Sequence, residues 1–152
     1  MKLDVGCGTF KREGYTGVDP FVDTDIQAPM WAIPLPDNSV EEIYSSHALE
    51  HIGKREVVPT LKEWARLLKV GGVATIEVPD LEWCIRNWLW RKSTDWHLDT
   101  IFGNQEHEGE YHKTGFSSDI LAGYVREAGL TMLRCAIIDS HGQPTIQMVV
   151  TK

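Results

Sequence analysis

The sequence predicts an α/β domain built on a mainly parallel, doubly wound sheet. Two observations favour this fold class. Short apolar segments typical of strands alternate with segments of helical periodicity. The last two apolar segments are separated by a short loop that suits an antiparallel hairpin at the C-terminus. We expect seven strands in all, and neither a repeat nor a linker divides the chain, so residues 1–152 are interpreted as one domain.

The strand predictions depend on apolar runs that end at turn residues. The clearest runs are residues 2–5, 15–18, 40–44, 73–78, 132–138 and 145–150.

The helix predictions depend on apolar residues that recur every three or four positions. The clearest helix spans residues 56–68, and Gly71-Gly72 is interpreted as its left-handed end. Further helices are expected at 81–90 and at 118–128, the latter capped by a serine. Residues 94–116 are expected to be irregular.

Composition and charge narrow the function classes. The formal net charge is −7 and no basic cluster is visible, which disfavours nucleic acid and anionic membranes as partners. Cys7, Cys84 and Cys135 are widely spaced, which argues against a disulfide framework or a cysteine zinc site. The sequence shows neither a signal-peptide pattern nor an apolar run long enough to span a membrane. We therefore expect a cytoplasmic protein.

Four of the six tryptophans fall close together, at Trp83, Trp88, Trp90 and Trp96. Their large apolar surface favours packing in the core or under a lid. A substrate wall or a subunit contact is the alternative. Apolar surface of this kind is compatible with a homo-oligomer.

The string LDVGCG carries the first chemical signal. An apolar strand that stops at Gly-x-Gly lets the backbone approach a ligand at the carboxyl end of the sheet. Asp19, in GVDP, ends the next strand and can accept hydrogen bonds from ribose hydroxyls at the same edge. The two features together predict a nucleoside site, although Asp19 alone could be an ordinary turn residue.

The spacing between the glycine turn and Asp19 distinguishes a dinucleotide site from a site for another nucleoside cofactor. A dinucleotide site has a third glycine that opens a full helix, with an acid about 20 residues further on. Here Lys11 stands at the third glycine position, and Asp19 comes only eleven residues after Gly8. The gap leaves no room for a crossover helix under a pyrophosphate, which counts against an NAD-dependent oxidoreductase.

Four strings together resemble the class I S-adenosylmethionine (SAM)-dependent methyltransferases, and most closely their small "type 11" branch. They are LDVGCG, GVDP, LPDNSVEEIYSSHALEHI and LKEWARLLKVGGVATIEVPD. The resemblance implies a Rossmann-like fold, SAM as cofactor and methyl transfer as the reaction. It departs from the family at Thr9, which replaces a glycine, and at residues 10–14, which are too few for a first helix.

The resemblance also implies the cofactor-binding residues. Those matching the methionine-binding motif are Asp4, Gly6, Cys7 and Gly8. Asp19 matches the ribose-binding acid, with Pro20 after it. Asp25 and Ile26 lie where the family contacts adenine, with Asp23 as a rival for the acid. Ser46 and His47 end the strand that lines the methyl-transfer face.

His47 and His112 are the candidate catalytic residues, because histidine can accept a proton near neutral pH. The run 106–112 is rich in Glu and His but lacks an HExxH spacing, so no metal is expected.

The predicted function is methyl transfer from SAM to an O or N of a small-molecule or sugar-type acceptor. SSHALEH stands where nucleic-acid amino-methyltransferases carry an Asn/Asp-Pro-Pro-aromatic string, which also disfavours DNA. A non-catalytic SAM-binding module, or a subunit of a larger enzyme, is the alternative.

Overall fold

A computed structural model describes residues 1–91, 94–106, 108–140 and 142–152. These residues form one mixed six-stranded sheet with the strand order β2-β1-β3-β4-β6-β5. The strands are β1 (Lys2–Val5), β2 (Thr16–Val18), β3 (Val40–Ser46), β4 (Leu68–Pro79), β5 (Thr131–Ser140) and β6 (Gln143–Thr151). Strands β1 to β4 are parallel, and β6 runs antiparallel to both β4 and β5.

The prediction of seven strands is wrong by one in the described part of the chain. Beside the edge strand β2, Ile26 makes only a single parallel bridge to Val18. Residues 19–39, all of them described, contain no other strand pairing. Four prolines in this stretch lack the backbone donor that a sheet ladder needs. A seventh strand is therefore reduced to one bridged residue.

The helices lie in two of the connections. Helix α1 (Lys54–Leu67) links β3 to β4, while α2 (Leu81–Trp90), α3 (Asp95–Phe102) and α4 (Ser118–Glu127) lie between β4 and β5. The β1–β2 and β2–β3 connections, fully described, hold no helix, so the winding is simpler than a doubly wound sheet predicts. The expectation that 10–14 is too short for a helix is confirmed. None of the helices described is long and apolar enough to cross a membrane.

Two local predictions are corrected. Helix α1 ends at Leu67 because Leu68 is already extended and begins β4, so Gly71-Gly72 lie inside the strand rather than at the helix end. Gly71 has φ +78° where the β3–β4 register shifts, a bulge that favours glycine. Residues 94–116 are not all irregular, because they include α3.

Helix α1 fixes the long loop before β3. Its buried Trp64 donates from Nε1 to the Met30 carbonyl oxygen over 3.0 Å. Arg66 donates to the carbonyl oxygens of Ile33 and Leu35 over 3.2 and 2.9 Å. The loop therefore has a defined path although it contains no regular structure. The clustered tryptophans differ from this buried one: Trp90 is 87% exposed, so core packing is wrong for it.

Glu77 links three strands through its carboxylate. It accepts hydrogen bonds from the hydroxyls of Tyr44 and Ser46 on β3 and from the Gln147 amide on β6, over 2.7, 2.8 and 2.8 Å. Burial alone would raise the pKa of Glu77, but these donors outweigh it and hold the pKa below its ordinary value.

We expect Glu77→Gln to lower the free energy of unfolding by about 1–3 kcal/mol near neutral pH, because buried donors lose a charged acceptor. The folded-state pKa is depressed, so the carboxylate stabilises the fold above its unfolded pKa of about 4.3. That contribution is lost as pH falls through the folded-state pKa.

Urea unfolding of wild type and variant from about pH 7 to about pH 3 measures this. The difference in free energy of unfolding between wild type and Glu77→Gln should become smaller as the pH falls. Glu41→Gln, which removes an exposed carboxylate of β3 paired with Lys69, is the control and should change little. A gap that is independent of pH would contradict the prediction.

Candidate functional site

The loops that follow β1, β2 and β3 meet at one edge of the sheet. This is the carboxyl edge, where open α/β sheets bind ligands. A cavity of about 640 Å³ opens there. It is lined by the glycine turn, the end of β2, the loop before β3 and the start of α1. Its lining includes Gly6, Gly8, Asp19, Pro20, Phe21, Met30, Trp31, His47, His51 and Glu110.

The two glycines of the turn have different tasks. Both have positive φ, +73° at Gly6 and +53° at Gly8. A Cβ at Gly6 would lie 2.3 Å from the Cβ of Ala48, so the β1 loop needs glycine to pass the β3 loop. A Cβ at Gly8 would meet nothing within 4 Å and would stand at the cavity wall. Gly6 is thus required for packing, whereas Gly8 leaves space beside the cavity.

Asp19 lies at the cavity and organises its rim. Its Oδ2 accepts from the Gly8 backbone over 3.0 Å and its Oδ1 from the Phe21 backbone over 2.8 Å. The side chain is largely buried but lines the cavity. Because each carboxylate oxygen has a second lone pair, both can also accept from a ligand hydroxyl.

Asp4 and Cys7 support the turn rather than line the cavity. Asp4 accepts from the Arg12 backbone over 2.7 Å. Burial raises the pKa of Asp4, and the Arg12 hydrogen bond and charge only partly oppose this. Cys7 Sγ lies 3.5 Å from Thr24 Oγ1. Neither residue is among the cavity-lining residues described.

Three other predicted cofactor residues are engaged elsewhere. Asp25 accepts from Lys11 Nζ over 2.7 Å and from the Gly17 backbone over 2.8 Å, and these donors lower the pKa of its carboxyl. Ile26 bridges to β2, and Ser46 donates to Glu77. Within the described residues, none of the three lines the cavity, so the adenine end of the predicted site rests on other groups there.

His47 stands where this cavity meets a second one. It has φ +50°, and its backbone N–H donates to the Glu77 carbonyl oxygen over 2.9 Å. Its ring lies 3.4 Å from both Gln143 Nε2 and Thr145 Oγ1 on β6. Its Nδ1 is 3.5 Å from Glu50 Oε1. The strained backbone and these contacts aim the ring into the junction.

The second cavity has a volume of about 390 Å³. It shares His47, His51 and Glu110 with the first. The rest of its wall comes from the turn after β3, from β6, from α3 and from the segment after α3. These residues include Glu50, Trp96, Asp99, Thr100, Asn104, His112 and Gln143.

His112 belongs to this second cavity. Its Nδ1 lies 3.0 Å from the Thr100 carbonyl oxygen, and its ring centroid is 4.9 Å from that of His51. Burial is the main cause that lowers the pKa of His112, so its ring is neutral at neutral pH. His47 and His112, predicted as catalytic residues, therefore line one cavity.

Backbone contacts bring this distant segment to the β3 loop. The Glu50 carbonyl oxygen accepts from the backbones of Lys113 and Thr114 over 2.8 and 3.1 Å. Thr114 Oγ1 donates to the Ile52 carbonyl oxygen over 2.8 Å. Of the Glu- and His-rich run at 106–112, His107 lies outside the described residues.

Sequence reasoning missed one group of side chains. The ligand atoms of Glu50, His51 and His112 all lie within 4.8 Å of one another. Glu50 and His51 were assigned only to the family string, and His112 was treated alone. The His-x-x-Glu-His spacing from His47 places three polar side chains after one strand, and this signal could have been used. The joining of His112 depends on tertiary structure.

Comparison with known proteins agrees with this geometry. A family profile described as "Methyltransferase domain" matches residues 3–76. Among curated proteins no sequence matches.

Three similar solved structures each align with 99% of this chain. The Burkholderia thailandensis 1,6-didemethyltoxoflavin-N1-methyltransferase, bound to 1,6-didemethyltoxoflavin and S-adenosylhomocysteine, aligns with TM-score 0.69 at 16% identity over 70% of its length. A complex of the Haloferax volcanii Trm112 methyltransferase activator with a putative methyltransferase aligns with TM-score 0.67, at 17% identity over 80%. The [4+2]-cyclase SpnF aligns with TM-score 0.62, at 15% identity over 73%.

These likenesses show the Rossmann-like fold, and the profile match falls on the glycine turn, Asp19 and the β3 loop. Residues 3–76 thus resemble a methyltransferase domain, and this resemblance implies SAM as the cofactor.

Proposed function

We propose that residues 1–152 act as one methyltransferase domain that transfers the methyl group of SAM to an O or N of a small-molecule or sugar-type acceptor. SAM occupies the 640 Å³ cavity and the acceptor the 390 Å³ cavity. The observation that carries the proposal is that the two cavities meet at His47, His51 and Glu110. A methyl group can cross only where cofactor and acceptor touch.

The reaction is a direct displacement at the methyl carbon. The bond from the acceptor atom forms as the carbon–sulphur bond breaks, and its electron pair stays on sulphur to give S-adenosylhomocysteine. The proton leaves the acceptor atom. Alignment supplies most of the rate, because it converts an encounter in solution into a reaction between held groups.

His47 is the group best placed to take that proton. It lines both cavities, whereas His112 lines only the second. Gln143 and Thr145 hold its ring from β6. Its role is proton transfer or positioning of the acceptor atom at the junction.

The second cavity favours a compact acceptor with hydrogen-bonding groups. Its wall combines Trp96 with carboxylates, amides and imidazoles. Such a lining suits hydroxyl or amine groups on a ring of sugar or heterocycle size. The net charge of −7 disfavours a polyanionic acceptor.

A non-catalytic SAM-binding subunit is the second candidate. Helix α2 leaves Leu89 and Trp90 exposed by 78% and 87%, and Phe102 of α3 is 50% exposed. Apolar surface of this kind favours a protein partner or a second copy of the chain. In the Trm112 complex, a protein of this fold binds an activator protein. SpnF, which has the same fold, is a cyclase.

We expect Gly8→Ala to weaken S-adenosylhomocysteine binding about tenfold or more, a loss of about 1.4 kcal/mol, because the new Cβ stands at the cavity wall. Isothermal titration measures it. Gly14→Ala is the matched control, since Gly14 also has positive φ and open space around it but does not line the cavity. Equal losses in both variants would contradict the placement of the cofactor.

We expect Asp19→Asn to weaken S-adenosylhomocysteine binding about 10- to 100-fold, because hydrogen bonds to a charged group are worth about 1.5–3 kcal/mol. Glu13→Gln, which changes an exposed acid outside the cavity lining, is the control. Titration of both variants checks it, with circular dichroism to show that each folds. Unchanged affinity in Asp19→Asn would remove the ribose role.

We expect His47→Asn to slow methyl transfer at saturating SAM by about 100-fold or more, while S-adenosylhomocysteine affinity changes little. Asparagine tolerates the positive φ at this position, so the backbone is preserved. The measurement is S-adenosylhomocysteine release across a panel of small hydroxyl, amine and sugar acceptors. Tight cofactor binding with no release on any acceptor would favour the non-catalytic subunit. Full activity in the variant would remove His47 from the chemistry.

A further inference from the structure

Glu50 has a buried carboxylate that no described residue satisfies with a hydrogen bond. The residue is 1% exposed, and neither carboxylate oxygen has a hydrogen-bond partner among the described residues. The nearest cationic group is His47 Nδ1 at 3.5 Å, which is charged only when protonated. A buried charge of this kind is costly to desolvate unless a counter-charge compensates it.

Two imidazoles face the same point. His51 Nδ1 lies 3.3 Å from the Tyr111 carbonyl oxygen and His112 Nδ1 lies 3.0 Å from the Thr100 carbonyl oxygen. A carbonyl oxygen only accepts, so in a neutral ring at either position Nδ1 donates and Nε2 has a lone pair for a ligand. Metal-binding histidines are held in this way, with the second nitrogen donating to a backbone carbonyl.

We propose that Glu50, His51 and His112 bind a divalent transition-metal ion of the zinc class. Two imidazoles and one carboxylate are a donor set that suits such an ion and leaves coordination positions open. The ligand atoms lie within 4.8 Å of one another. Around a tetrahedral ion with bonds of about 2.1 Å they would stand about 3.4 Å apart, so modest side-chain rotation closes the site.

The open positions face the acceptor cavity, because all three ligands line it. The ion would bind an acceptor hydroxyl oxygen and favour loss of its proton beside the methyl group. This role rests on the proposed methyl transfer, but metal binding itself does not. His112 is then a ligand, and His47 remains as the group that takes the proton.

The test uses the purified full chain, stripped of metal with a chelator and carrying Cys135→Ser to remove an exposed thiol that could bind zinc elsewhere. Zn²⁺ and Co²⁺ are titrated in separate experiments without SAM or acceptor. We expect one ion per chain, visible absorption from the Co²⁺ form and a rise in Tm on binding. Mg²⁺, which prefers oxygen ligands, should bind more weakly.

The ligand variants are Glu50→Gln, His51→Gln and His112→Gln. Each substitution should weaken Zn²⁺ binding more than about 100-fold. Even the loss of a residue that only hydrogen-bonds to a ligand lowers metal affinity about 10- to 100-fold. Asp99→Asn, a carboxylate of the same cavity outside the cluster, should bind Zn²⁺ as wild type does. Without metal, Glu50→Gln should melt no lower than wild type, because it removes an uncompensated charge. This last result separates a ligand from a structural residue.

Three outcomes would overturn the inference. They are Zn²⁺ binding no tighter in wild type than in the ligand variants, equal losses in Asp99→Asn and Glu50→Gln, and tighter binding of Mg²⁺ than of Zn²⁺. S-adenosylhomocysteine titration of the same samples separates the two proposals. A chain that binds S-adenosylhomocysteine but no Zn²⁺ overturns the metal site alone, and the reverse result overturns SAM binding alone.

Discussion

The site depends on the contact between the β1 loop and the β3 loop. These loops separate at the middle of the sheet, because β1 pairs with β2 on one side and β3 on the other. A crevice exists there only if the two backbones diverge from a point of close approach. Gly6 and Ala48 are that point, since a Cβ at Gly6 would lie 2.3 Å from the Ala48 Cβ. The glycine turn is therefore a packing requirement before it is a binding motif.

The β3 loop then determines what stands at the junction. His47 adopts a positive φ immediately before Ala48, and the short 3-10 turn Leu49–His51 follows. With this compact turn, His47 and His51 line both cavities, whereas Glu50 lines the second one. The turn also buries the Glu50 carboxylate, which a surface loop would leave in water. An uncompensated buried charge persists where function requires it, because folding alone disfavours it.

The sequence predicted the parts of the molecule that local rules govern. The parallel strands, the final antiparallel pair and the helix now seen at Lys54–Leu67 followed from periodicity and turn residues. So did the glycine turn and Asp19 at the carboxyl edge. The single bridge of Ile26 to Val18 was not predictable, because one bridged residue leaves no strand-length apolar run in the sequence. Nor was the meeting of His112 with His51, which depends on contacts between residues far apart in sequence, such as that of the His51 ring Nδ1 with the Tyr111 carbonyl oxygen, 60 residues away.

The two cavities are built from different parts of the chain. The first cavity, proposed to hold the cofactor, is lined mainly by residues before α1, inside the family match at residues 3–76. The acceptor cavity needs Trp96, Thr100, His112 and Gln143, all beyond that match. Hydrogen bonds from Lys113 and Thr114 to the Glu50 carbonyl oxygen hold the segment after α3 in place, and Gln143 of β6 completes the wall. If the second cavity holds the acceptor as proposed, acceptor choice can change through residues 94–143 while the first cavity stays intact. The family profile covers only residues 3–76, so it implies the cofactor but says nothing about the acceptor.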